Sequence, residues 1–139
     1  MRHRVRSRRL GRQTDHRLSM LKNLTKSLLT HKKITTTEMR ARELTRYVDN
    51  VITWAKKAHV ATDVHEKLAH KRQVFRHIPG APRNGPSRPD RDINQELFEQ
   101  IAVRFSPGGE SARAGGYTRT TKLYPRKGDG ATVVLVELL

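Results

Sequence analysis

The chain has 139 residues, 35% hydrophobic and 30% charged, which suits one domain with a modest core and leaves little for a second. Its 29 lysines and arginines against 13 acidic residues give a formal charge of +16, so the molecule repels itself and seeks a polyanion. The absence of cysteine excludes disulfides and thiolate zinc sites, and the longest aliphatic run, Val133 to Val136, is far short of the ~20 residues that span a bilayer.

The charge is concentrated at the start: residues 1–33 hold 11 basic and 1 acidic side chain, whereas residues 79–116 hold 5 of each. Residues 1–13 combine six arginines with only Val5 and Leu10 as aliphatic side chains after Met1. They bury too little to offset the entropy of ordering, so a basic arm over residues 1–14, disordered when free in water, is expected. No apolar segment follows as a secretion signal requires, and the arginines lie among His3, Gly11 and Gln13 rather than opposite the apolar face of a presequence. The chain reads as soluble and unexported.

A single α+β domain is expected over residues 15–139. Thr14 or Asp15 can cap a first helix, roughly residues 15–31, whose apolar face carries Leu18, Leu21, Leu24 and Leu28 with Met20 beside it. Ile34-Thr35-Thr36-Thr37 is β-branched and suits a short strand, although Thr35 with Glu38 also fits a capping box. Ala41, Leu44, Val48, Val51, Ile52 and Ala55 then keep helical period over four turns. A third helix starts near Asp63, capped with Glu66, and is expected to bury Val64, Leu68, Phe75 and Ile78 despite Lys71 and Arg72 in its stripe.

Residues 79–91 contain Pro79, Pro82, Pro86 and Pro89 with Gly80 and Gly85, which predicts a Pro-rich loop. Asp92 with Gln95 can open a fourth helix through Ile93, Leu97, Phe98, Ile101 and Ala102 to Phe105, broken at Ser106-Pro107-Gly108-Gly109. Tyr117 to Tyr124 and Ala131 to Leu138 read as a hairpin around Pro-Arg-Lys-Gly-Asp-Gly. The expected fold is therefore α+β, about four helices on a small mixed sheet that includes the C-terminal hairpin.

Enzyme and metal signatures are lacking. His65 and His70 are five residues apart, diverging by about 140° on a helix, where a zinc helix needs a spacing of four. The sequence has no nucleophile elbow, phosphate loop or dinucleotide fingerprint, and the pairs Asp90 with Asp92 and Glu96 with Glu99 read as surface charge. No cofactor is expected. Tyr47 and Trp54 read as core or rim.

The basic constellations are more informative. The arm's arginines can each make forked bonds to phosphate, and an unfolded segment can thread between RNA helices. His16, Arg17, Lys22, Asn23 and Lys26 share the polar side of the first helix, while His31, Lys32 and Lys33 at its end could instead complement its dipole. In Ala114-Gly115-Gly116-Tyr117-Thr118-Arg119 the glycines could admit a phosphate to backbone N–H groups, with Tyr117 stacking and Arg119 forking; equally, they could form the entry turn to a strand.

Several segments, in order, resemble one known family, that of the seventeenth protein of the bacterial large ribosomal subunit. They are Met1-Arg2-His3-Arg4, His16-Arg17 with Met20, Asn23-Leu24, Ser27-Leu28, Ile34 and Thr36-Thr37. Ala41, Glu43-Leu44, Ile52-Thr53, Ala55-Lys56, Leu97-Phe98, Arg104-Phe105, Gly115 to Arg119, Gly128-Asp129 and Glu137-Leu138 complete the set. The resemblance implies a cytoplasmic structural constituent of the ribosome that binds large-subunit (23S) ribosomal RNA beside neighbouring large-subunit proteins, near the outlet of the peptide tunnel. It implies no catalysis, no membrane partner and no homo-oligomer.

The candidate RNA-binding residues are thus Arg2, His3, Arg4, Arg6, Arg8, Arg9, Arg12, His16, Arg17, Asn23, Lys26, Lys33, Gly115, Gly116, Tyr117, Thr118 and Arg119. Two stretches depart from the family pattern, residues 77–92 and Lys122-Leu123-Tyr124-Pro125-Arg126, so no contact is carried onto them. A DNA-architectural protein is the binding-module rival, but no helix-turn-helix with a glycine turn is evident. An RNA-modifying or RNA-cleaving enzyme using His16, His31 or a carboxylate is the other rival.

Overall fold

The computed structural model describes residues 7–78 and 89–139, so most of the Pro-rich stretch and the first six residues lie outside it. Helix α1 (Thr14–His31) buries Leu21, Thr25, Leu28 and Leu29. Its N-cap is Gln13, one residue ahead of the expected cap, and Leu18 on its first turns is exposed. Lys32 ends the helix in the left-handed region, φ 63°, with its N–H donating to Leu28 O at 2.8 Å. Strand β1 (Lys33–Thr37) leads directly into α2 (Glu38–Val60). Thr37 is the extended N-cap of α2 and makes no side-chain cap bond, so the strand reading prevails over the capping box. Glu38 instead accepts from Arg42 one turn on at 2.7 Å.

Helix α2 is the spine of the fold. Its 23 residues bury the expected face, Ala41, Leu44, Val48, Val51, Ile52 and Ala55, extended by Ala58. Helix α3 (Val64–His77) packs against it, capped as expected by Asp63 accepting from the Glu66 N–H at 3.2 Å. Its buried face is not the expected one. Val74 and Ile78 are buried, but Val64 is 74% exposed and Leu68 and Phe75 also reach solvent. The inward stripe is His70, Val74, His77 and Ile78: His70 lies 5.4 Å from the Trp54 ring, and His77 meets Tyr47 edge-on at 5.1 Å. Histidines occupy inward positions where the periodicity predicts aliphatic side chains, and the helix is rotated accordingly.

Helix α4 (Pro89–Glu96) begins inside the stretch expected to be loop, with proline first, where its missing donor costs nothing. It runs on through a π-helical turn, Leu97–Ile101, into α5 (Ala102–Phe105). The wider turn is closed by the Ala102 N–H donating to Leu97 O, and the helix buries Ile93, Leu97, Ile101, Ala102 and Phe105. Ser106 Oγ donates to Ala102 O at 2.6 Å and helps stop it.

Strands β2 (Thr118–Pro125) and β3 (Thr132–Leu138) form the expected hairpin. The sheet order is β1-β3-β2 and both pairings are antiparallel, so the sheet is not mixed. β3 returns between the other two strands and leaves no parallel neighbour. Val134 and Val136 on β3 are buried in the core, with Ile34 packed beside them, and residues directly opposite share their face. The other face carries Lys33, Thr35, Arg119, Thr121, Leu135 and Glu137, of which Lys33, Thr35, Arg119 and Thr121 are exposed. The register shifts between Lys122 and Pro125, a bulge in β2.

Candidate nucleic-acid interface

The basic segment before α1 is folded back in a turn. Leu10 and Gly11 are both left-handed, φ 53° and 65°, and the Arg12 N–H donates to Arg9 O at 3.1 Å. At this turn Ser7, Arg9, Gly11, Arg12, Gln13, Thr14 and Arg17 line a concavity of about 770 Å³. Arg12 Nη1 donates to Leu10 O at 3.0 Å and Arg17 Nη1 to Arg8 O at 3.4 Å, while Arg12 Nε is buried without a partner. Gln13 makes no side-chain cap, and both Gln13 and Thr14 of the first turn line the concavity. Three guanidinium groups and the positive end of a helix dipole make an anion-binding geometry, offset only by Asp15 in the first turn. Arg8 and Arg9 are exposed; Arg2, His3, Arg4 and Arg6 lie outside the described residues.

Along α1, His16 and Asn23 are exposed two turns apart, and Lys22 and Lys26 are half-buried on its flank. Lys32 belongs to the fold rather than to a ligand: its Nζ donates to Leu29 O at 2.8 Å and pairs with Glu96. Lys33 opens β1, exposed on the outer sheet face. The register brings Lys33 and Arg119, distant in sequence, into one row across the sheet with Glu137 between them. Two candidate cations thus share a surface, and one carboxylate stands in it.

The glycine turn requires a correction. Tyr117 is 0% exposed, packed on Phe105 with ring centroids 5.0 Å apart, so it offers no stacking face. Its hydroxyl donates to Ala114 O at 3.2 Å and accepts from Lys56 Nζ at 3.2 Å, while Lys56 also bonds Arg113 O. The Tyr117 N–H donates to Asp49 Oδ1 at 3.2 Å, and the Gly116 N–H bonds the same carboxylate. Asp49 therefore fills the role a phosphate would have had, and the glycines, Gly116 at φ 67°, make the entry turn to β2. Gly115 and Gly116 remain exposed, and Thr118 is half-buried with its Oγ1 unpaired.

The sequence assigns no role to Asp49, and it gives Lys56 only as part of the family-like pair Ala55-Lys56. Asp49 and Lys56 stand two turns apart on α2, so both reach the same loop, and that spacing was the available signal. Burial is the largest influence on Asp49 and raises its carboxyl above the ordinary value, while the Tyr117 and Gly116 N–H bonds oppose it. Tyr47 and Trp54 take the core or rim positions expected of them; burial pushes the Tyr47 hydroxyl up to about 12. His65 is exposed, whereas His70 is turned onto Trp54. Among the described residues no three potential ligands gather as a metal site, and no helix is long and apolar enough to cross a membrane.

Comparison with known proteins matches residues 20–139 to the family model described as ribosomal protein L17. A "Large ribosomal subunit protein bL17" of Syntrophotalea carbinolica is 42% identical over the whole of this chain, which covers 75% of that relative. The protein of the same name from an Anaeromyxobacter strain is 40% identical over the whole chain, covering 69% of the relative. A third of that name, from Clostridium botulinum, is 41% identical over 95% of this chain and 96% of its own length.

Proposed function

The chain belongs to the ribosomal protein L17 family, and from that premise we propose that it is a structural, non-catalytic constituent of the large ribosomal subunit that binds large-subunit ribosomal RNA. The observation that carries RNA binding is the concavity at the start of α1, lined by Arg9, Arg12 and Arg17 together with Gln13, the N-cap that makes no side-chain bond. Arginine forks and helix N-termini are complementary to phosphate oxygens, and the +16 charge supplies the long-range attraction.

Arg2, His3, Arg4 and Arg6 precede the turn in sequence, and their cations are proposed as further phosphate contacts. His16, Asn23 and Lys26 extend the interface along α1, and Lys33 with Arg119 forms a second patch on the outer sheet face. Arms and side chains that contact phosphate set register without reading sequence, which is what assembly on a folded RNA asks of a small protein. A location near the outlet of the peptide tunnel, beside other large-subunit proteins, rests on the family resemblance. One copy per cytoplasmic ribosome is expected.

The test is equilibrium binding of the whole protein to deproteinised large-subunit ribosomal RNA across a salt series. Affinity is expected to fall steeply as salt rises, because each neutralised phosphate releases counterions. Equal affinity for duplex DNA, or binding indifferent to salt, would overturn the reading.

A further inference from the structure

We propose that the outer strand of the hairpin carries an additional RNA contact, in which the Tyr124 ring stacks on an unpaired base. The proposal rests on the RNA-binding reading above and adds a site to it, in a stretch onto which the family resemblance carried no contact. Every residue of β2 after Thr118 is exposed, and β2 is an edge strand whose outer side pairs with no other strand among the described residues. Tyr124 is 62% exposed and Leu123 beside it 44%, which makes Tyr124 the most open of the Phe, Trp and Tyr side chains among the described residues. It has no ring partner and no hydrogen bond among the described residues. The bulge between Lys122 and Pro125 breaks the alternation of the strand at this point, the kind of irregularity that re-aims side chains beside binding sites.

Charge decides the occupant. Arg119, Lys122, Arg126 and Lys127 surround Tyr124 in sequence, and the one carboxylate in that stretch, Asp129, is held by Arg126 through bonds of 2.8 and 2.5 Å. Lys122 shares Glu38 at 3.7 Å, while Arg119 and Lys127 have no ion pair among the described residues. An open ring on an extended strand whose sequence neighbours are cationic suits single-stranded nucleic acid, with cations on the phosphates and the ring on a base. A base inside a duplex has both faces covered, so the target is a loop, bulge or end. A protein neighbour is the less fitting occupant, because residues 119–129 hold four cations against one carboxylate, already bound to Arg126.

The experiment compares the full chain with Tyr124→Ala, Tyr124→Phe and Tyr124→Leu in binding to deproteinised large-subunit ribosomal RNA, with thermal unfolding of each as a control. Tyr124→Ala is expected to weaken binding by about fivefold to a hundredfold, with the melting temperature and salt dependence unchanged, since a ring and not a charge is lost. Tyr124→Phe should retain affinity and Tyr124→Leu should lose it as alanine does. Wild-type affinity in Tyr124→Ala overturns the stacking site and leaves the RNA-binding reading intact. Full affinity in Tyr124→Leu also overturns it, because any apolar group would then serve. Failure of the unaltered chain to bind the RNA would bring down the functional reading, and this site with it.

Discussion

The N–H of Tyr117 donates to the carboxylate of Asp49 at 3.2 Å, joining the turn before β2 to the middle of α2. With Lys56 reaching the Tyr117 hydroxyl at 3.2 Å and the Arg113 carbonyl, α2 supplies both an acceptor and a donor to a loop that lacks regular structure. The Tyr117 N–H and hydroxyl and the Arg113 carbonyl thereby find partners within the protein. Asp49→Ala leaves two N–H groups without their acceptor and is expected to cost about 1–3 kcal/mol, read as a fall in the urea midpoint. An unchanged midpoint would show that water replaces the carboxylate without loss.

The same residue predicts a pH dependence. Burial raises the Asp49 carboxyl, so its protonated form favours the fold: the contribution is fully present below the ordinary 3.8 and is lost as pH rises through the higher folded value. Wild type should therefore gain stability relative to Asp49→Asn as pH falls from neutrality through the carboxylate range. A difference that stays flat, or changes the other way, contradicts the assignment.

His77 works in the opposite direction. Burial lowers its ring below the ordinary 6.5, helped by Lys22 and Arg76, and Nδ1 lies 2.9 Å from the Tyr47 hydroxyl. Its stabilising contribution is present above 6.5 and is lost as pH falls through the lower folded value. Unfolding measured from about pH 7.5 to about 5.5 should show wild type losing stability and His77→Gln losing less.

Tyr117 separates packing from RNA contact. Tyr117→Ala is expected to cost about 3–5 kcal/mol, as large aromatic truncations in cores do. Tyr117→Phe should cost about 0.5–1.5 kcal/mol through its lost hydroxyl bonds. It should leave RNA affinity untouched. Weakened RNA binding by a well-folded Tyr117→Phe would return that side chain to the interface.

The architecture was legible where apolar periodicity was unmixed. Ala41 to Ala55 on α2 and the alternation around Val134 and Val136 on β3 could face only one way, and both did. α3 turns a different face inward from the one its periodicity predicts, because its inward positions include His70 and His77, whose burial depends on Trp54 and Tyr47 from another helix, a tertiary fact with no local signature. The sheet's antiparallel return of β3 beside β1 is likewise a matter of long-range pairing. Within the candidate site, the arginines announced themselves by charge alone. Which polar groups the protein consumes itself, Lys32 on Glu96 and the Tyr117 N–H on Asp49, required the packed structure.

At the start of α1, Arg12→Ala and Arg17→Ala should each weaken binding to large-subunit ribosomal RNA and reduce the slope of log affinity against log salt by about 1. Thr35→Ala, exposed on the outer sheet face and carrying no charge, should leave the slope as it is. Slopes unchanged in both arginine variants would remove the concavity from the RNA interface.

The central claim is tested most directly by sedimentation of lysate from cells that make this chain, through sucrose gradients in low and then high salt, with immunodetection of the protein. The account predicts stoichiometric co-migration with large subunits in low salt, and a displacement toward the top as salt rises if Arg9, Arg12 and Arg17 hold phosphates. Migration with the nucleoid, or at the top of the gradient in low salt, would contradict it.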